Sequence, residues 1–160
     1  MRLLPKKLKY ARTDIWREGK WLDLWSVVHV FSGLLVGFSI YLLHMDAVLG
    51  TMLAAVVLIA YELFEIYAEI EEAPTNRFMD VVVGMVGYVP AYFLISPILT
   101  SEDLVLTFVL LLVLNSALSI AGWHASQKAL DIEKHLRTRL AADRQRLKER
   151  SKRFRSKHHF

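Results

Sequence analysis

The stretch AVLGTMLAAVVLIAYELFEIYAEI, residues 47–70, decides the fold class. Its first part, Ala47 to Tyr61, carries no charge, and the whole segment contains no Lys, Arg or Pro. A helix rises about 1.5 Å per residue, so a run of roughly 20 apolar residues crosses a hydrocarbon layer. Three further runs have similar character: Leu22 to Leu43, Phe78 to Ile95 and Leu104 to Trp123. Their connections are short, namely His44-Met45-Asp46, Glu71 to Arg77 with Pro74, and Ser96 to Asp103 with Pro97. Within lipid every backbone polar group must be satisfied internally, which leaves helices as the spanning structure for such segments. The sequence therefore predicts an all-α polytopic membrane protein. Four transmembrane helices should form an up-down bundle, each packed against its sequence neighbours.

Composition points the same way. Of the 160 residues, 54% are hydrophobic, and they are concentrated in the four runs rather than spread periodically over a soluble domain. No cysteine occurs, which excludes disulfides, thiolate zinc sites and iron–sulfur clusters. Charge is segregated into three blocks. Residues 1–21 carry a net +5 and residues 125–160 a net +8, whereas residues 22–124 hold Arg77 as their one cation and a net −9, reproducing the overall +4. These blocks define the expected organisation: a basic N-terminal segment (1–21), a transmembrane domain (22–124) and a basic tail (125–160). With four spans, both termini and the second loop lie on one side, and that side collects every Lys and Arg. The positive-inside rule places it in the cytoplasm, at the inner membrane. Trp21, Trp25, Tyr67 and Trp123 then fall near the inner boundary, where interfacial aromatics belong. Residues 1–20 have cations but no apolar core of signal-peptide length, so the first span is expected to act as an uncleaved anchor.

In the tail, Ala129, Ile132, Leu136, Leu140, Leu147 and Phe154 recur among Arg and Lys, and no Gly or Pro interrupts residues 125–157. That spacing predicts a cytoplasmic amphipathic helix resting on anionic lipid headgroups, or pairing with a second copy or a protein partner. A charge run of this kind does not require nucleic acid.

Ionisable residues inside apolar runs carry the functional signal. A charged side chain at mid-bilayer costs about 2.5–3.5 kcal/mol on insertion scales and persists where it is paired, hydrated or working. Here these are His29 in the first span, Glu62, Glu65 and Glu69 in the second, and Asp80 in the third, with Asn76 and Arg77 just before it. His29, Gly33 and Gly37 recur every four residues; Glu62, Glu65, Glu69 and Glu72 follow a three-four-three rhythm; Asp80, Gly84 and Gly87 follow four-three. Glycine stripes let neighbouring backbones approach, which should draw His29 and Asp80 toward the glutamates. All of these groups sit in the inner half of their spans. The expectation is one polar site at the cytoplasmic headgroup layer, built from His29, Glu62, Glu65, Asn76, Arg77 and Asp80.

Several chemistries fit that set. His29, Glu65 and Asp80 suit general acid–base work; His29, Glu62, Glu65 and Asp80 suit a divalent cation such as Mg, Mn or Zn; Arg77, with Asn76, suits an anionic headgroup. No HExxH or ExxH spacing identifies a particular metal centre. The same residues also admit a structural use. Glu62 with His29, or Glu65 with Arg77, would form neutralising pairs that fix helix register, and Asn115, Ser119 and Gly122 would join the fourth span to the others.

His29, Glu62 with Glu65 three residues on, and Asn76-Arg77 leading into Asp80-Val-Val-Val-Gly84-Met-Val-Gly87 resemble the layout of VanZ-like small integral membrane proteins. That family shows a His in its first helix, a Glu then Gln spaced by three, and an Arg leading into Asp-x-x-x-Asn-x-x-Gly. The resemblance covers about residues 22–95. Gly84 stands in place of the family's Asn, Glu65 in place of its Gln, and Trp25 in place of an Asp four residues before the His, with Asp23 nearby. It implies four helices, a membrane location and a loosely defined role, linked in some members to tolerance of glycopeptide antibiotics. A second comparison fails on spacing. Glu71-Glu72 precedes Arg77 by one residue too many for the Glu-Glu-x-x-x-Arg signature of CAAX-type intramembrane proteases.

Two functional classes follow: a headgroup- or cation-binding membrane protein, with or without catalysis, and a non-enzymatic scaffold whose tail recruits a partner or anionic lipid. Proton or cation transport is disfavoured, because the outer halves of the spans offer no ionisable relay.

Overall fold

A computed structural model of the chain describes residue 16, residues 21–67 and residues 73–157. Among them there are helices and connecting turns and no strand. Helices α1 (Leu24–Leu42), α2 (Ala47–Tyr67), α3 (Pro74–Pro90) and α4 (Ser101–Lys157) follow in order. Each is part of a segment long and apolar enough to cross a membrane. Glu69, Glu71, Glu72 and most of the basic N-terminal segment lie outside the described residues. The described residues fall into two compact units, one within residues 16–123 and the other residues 124–157.

Local sequence sets each boundary. Asp23 caps α1, accepting from the amides of Trp25 at 2.8 Å and Ser26 at 3.2 Å, while Ser26 Oγ accepts from the Asp23 amide. This reciprocal capping box satisfies donors that the first turn leaves orphaned. The far end of α1 closes with His44 at φ 53°. The amides of His44 and Met45 return to the carbonyls of Tyr41 and Ile40, a Schellman closure with a non-glycine residue in the left-handed position. One carboxylate oxygen of Asp46 then caps α2 through the amides of Val48 and Leu49.

Two loops are tighter than the sequence predicted. Pro74 starts α3 at its first turn, so Asn76 and Arg77 are helical rather than part of a loop ending at Arg77. Proline's fixed φ suits that position, and its missing N–H is one of the orphans there. At the other end Pro90 has no amide to offer Val86. The chain continues through a wide π-type turn at Ala91–Ile95 and a 3₁₀ turn at Ser96–Ile98. Ser96 Oγ donates to the Ala91 carbonyl, and Thr100 with Asp103 begins α4.

The order of packing also differs from expectation. The most extensive interface joins α1 to α3, not to its sequence neighbour α2. Glycine explains it. A Cβ on Gly33 would lie 1.8 Å from the Gly84 carbonyl oxygen, and one on Gly87 would lie 2.1 Å from the Val30 carbonyl oxygen. These backbones touch, as small-residue stripes allow. Helix α2 covers the seam with Gly50, Ala54, Leu58 and Glu62, one residue per turn, and Leu58 sits against Gly84. Near the α1–α2 turn, Ile40, Ala54 and Tyr88 form one apolar cluster. Phe38, Ala91 and Leu104 of α4 form a second. Asn115 of α4 donates to Ser32 of α1 at 3.0 Å, the interhelical use expected of it. Trp16, which the sequence did not single out, is buried and packs against Gly122.

In the second unit the described residues are helical from 124 to 157. Leu130, Ile132, Leu136, Leu140 and Leu147 are exposed there, and Arg137 pairs with Glu133 one turn away.

Candidate functional site

The inward stripes of the three packed helices change character along their length. On α1 the buried row is Ser26, His29, Gly33 and Gly37; on α3 it is Asn76, Asp80, Gly84 and Gly87; on α2 it ends in Glu62. Glycines hold the seam together deeper in the bundle, and polar side chains fill it at one end. His29 is five residues from the start of α1, Glu62 five from the end of α2 and Asp80 six from the start of α3. All three therefore lie roughly 8–9 Å inside that end.

They converge. His29, Glu62 and Asp80 each bring one ligand-capable atom within 4.8 Å of the other two, and all three are buried. His29 Nδ1 is 3.7 Å from Glu62 Oε1, and His29 Nε2 is 3.9 Å from Asp80 Oδ2. The imidazole thus has a carboxylate from a different helix beside each nitrogen. Both separations exceed hydrogen-bond length. The Tyr61 ring stands edge-on to the imidazole, centroids 5.6 Å apart.

Asp80 is held on both oxygens. Ser26 Oγ donates to Oδ1 at 2.9 Å and Asn76 Nδ2 to Oδ2 at 3.0 Å. Asn76 Nδ2 also donates to Asp23 Oδ2 at 3.1 Å, so one amide bridges the cap of α1 to the carboxylate of α3. Asn76, Asp80 and Ser26 are almost wholly shielded, at 0%, 1% and 6% exposure. Polar groups this deep need partners, and the network supplies them from both helices.

Of the six residues expected at the site, His29, Glu62 and Asp80 form the convergent trio, with Asn76 hydrogen-bonded to Asp80. Glu65 is half-buried one turn further along α2, and the trio forms without it. Arg77 is half-buried beside Asn76 in the first turns of α3. Asn76, read as a ligand-binding residue, directs its amide to two carboxylates. Asp23 and Ser26 were missed as participants. The signal was present in the Asp-x-x-Ser capping pattern, because a helix starting at Leu24 puts Ser26 one turn before His29 on the same face.

The arrangement offers two chemistries. An imidazole between carboxylates can hold and pass a proton, and one imidazole nitrogen with two carboxylate oxygens can ligate a dication. The chain matches no family model, no curated protein and no solved structure.

Proposed function

We propose that this chain is a divergent VanZ-like integral membrane protein of the inner membrane, with both termini cytoplasmic, whose buried polar end works on lipid headgroups at the cytoplasmic leaflet. The observation that carries this reading is the meeting of His29, Glu62 and Asp80 from three helices at one end of the bundle. Three buried ionisable groups are costly in such a setting, and their convergence near one end of the bundle gives the cost a use. His29 and Asp80 are the acid–base pair, with Glu65 at the rim. Arg77 holds the anionic group bidentately, and Asn76 positions Asp80. The charge blocks support the orientation, and the basic tail would bring the chain to anionic lipid.

Lipid analysis of the purified chain tests this directly. Phospholipid or polyprenyl phosphate should copurify with the wild type and fall sharply in Arg77→Gln, and any headgroup turnover should stop in His29→Ala. Identical lipid profiles in wild type and Arg77→Gln would contradict it.

A scaffold reading has one observation in its favour: the chain Asp23–Asn76–Asp80–Ser26 ties α1 to α3 by hydrogen bonds alone. Under that reading Asn76→Ala loosens the bundle while lipid content stays unchanged, and partner recruitment depends on residues 125–160.

A further inference from the structure

We infer that His29, Glu62 and Asp80 are the protein ligands of one divalent first-row transition ion, of the zinc or manganese kind. The inference rests on reading this end of the bundle as a working site and names what the site holds.

Geometry comes first. Metal–ligand bonds of about 2.1 Å set neighbouring donors roughly 3–3.5 Å apart, so a trio spread over 4.8 Å closes around an ion with adjustments on the order of 1 Å. The 3.7 and 3.9 Å separations run from different imidazole nitrogens, Nδ1 to Glu62 and Nε2 to Asp80, so a single nitrogen ligates the ion and the carboxylate beside the other nitrogen turns to the same side of the ring. Each ligand comes from a different helix, and the Gly33–Gly84 contact fixes two of those helices against each other.

The surroundings match what metal ligands need. A ligating carboxylate is oriented by outer hydrogen bonds, and Asp80 receives one on each oxygen, from Ser26 and Asn76. Asn76 is in turn anchored on Asp23, the N-cap of α1.

Donor chemistry selects the class. One nitrogen and two carboxylate oxygens suit zinc and manganese; calcium prefers six to eight oxygens, and magnesium keeps most of its water. At that position the ion would act as a Lewis acid toward a phosphate oxygen presented beside Arg77.

The test uses the full chain without an affinity tag, purified in detergent, stripped with chelator and titrated with cobalt(II). His158 and His159 are replaced by alanine in every sample so that the tail does not compete. About one cobalt per chain should bind, with the visible absorption of a low-symmetry site, and zinc should displace it. His29→Ala and Glu62→Gln should lose that signal while circular dichroism and elution volume stay those of the parent. Ser26→Ala should retain the spectrum with affinity reduced roughly 10–100-fold, the effect of losing an outer-shell partner. A folded parent that binds no cobalt, or whose cobalt spectrum survives His29→Ala, overturns the inference. The two readings separate cleanly. Lipid lost in Arg77→Gln with no cobalt bound by the parent overturns the ion alone. Cobalt bound with lipid unaffected by Arg77→Gln supports the ion and overturns the headgroup reading.

Discussion

Helices α1 and α4 stand at opposite ends of one ordering. Ranked by burial, the four spans run α1, α3, α2, α4 from most to least, and the least buried of them, α4, carries the most apolar stretch. The span with the most apolar stretch is thus the least enclosed. In water that result would be perverse, but in lipid there is no hydrophobic drive between helices, and close packing with polar contacts selects the interior. Helix α1 is interior because of Ser26, His29, Gly33 and Gly37. Helix α4 meets the rest through a few residues, among them Leu104, Asn115 and Gly122.

Substitutions can break this contrast in graded steps. The largest effect should come from Gly33→Val. Its Cβ would fall inside the Gly84 carbonyl, so α1 and α3 must separate. We expect a loss of about 3 kcal/mol or more in detergent unfolding, at or beyond the usual range for overpacking. Asn115→Ala should cost about 0.6–1.5 kcal/mol, the range for one interhelical hydrogen bond in a membrane. Val113→Ala, on the exposed side of α4, should lie within about 0.5 kcal/mol of wild type. Equal losses at Gly33 and Val113 would show that the ordering has no bearing on stability.

Much of this was legible in the sequence. Four apolar runs and their short connections specify four helices, and the stripes Gly33/Gly37 and Gly84/Gly87 mark the surfaces that meet. His29, Glu62 and Asp80 were identifiable because ionisable groups are anomalous in such runs. Harder to read was which helix each glycine stripe faces. Short loops argue for neighbours, yet mutual backbone approach, visible only in three dimensions, pairs α1 with α3. The glutamate rhythm was ambiguous for a similar reason. Glu62 continues the Gly50-Ala54-Leu58 row into the seam, whereas Glu65 lies a turn away at its edge. Asp23 and Ser26 looked like ordinary capping residues, and only their bonds to Asn76 and Asp80 show that the cap belongs to the polar network.

Three helices deliver His29, Glu62 and Asp80 to one point. The chain has no cysteine of its own, so paired substitutions report proximity without background. Chains carrying His29→Cys with Glu62→Cys, and His29→Cys with Asp80→Cys, should both link internally in native membranes with a short bifunctional thiol reagent. His29→Cys with Val113→Cys should not. Failure of both site pairs to link, or linkage only between separate chains, would contradict the account.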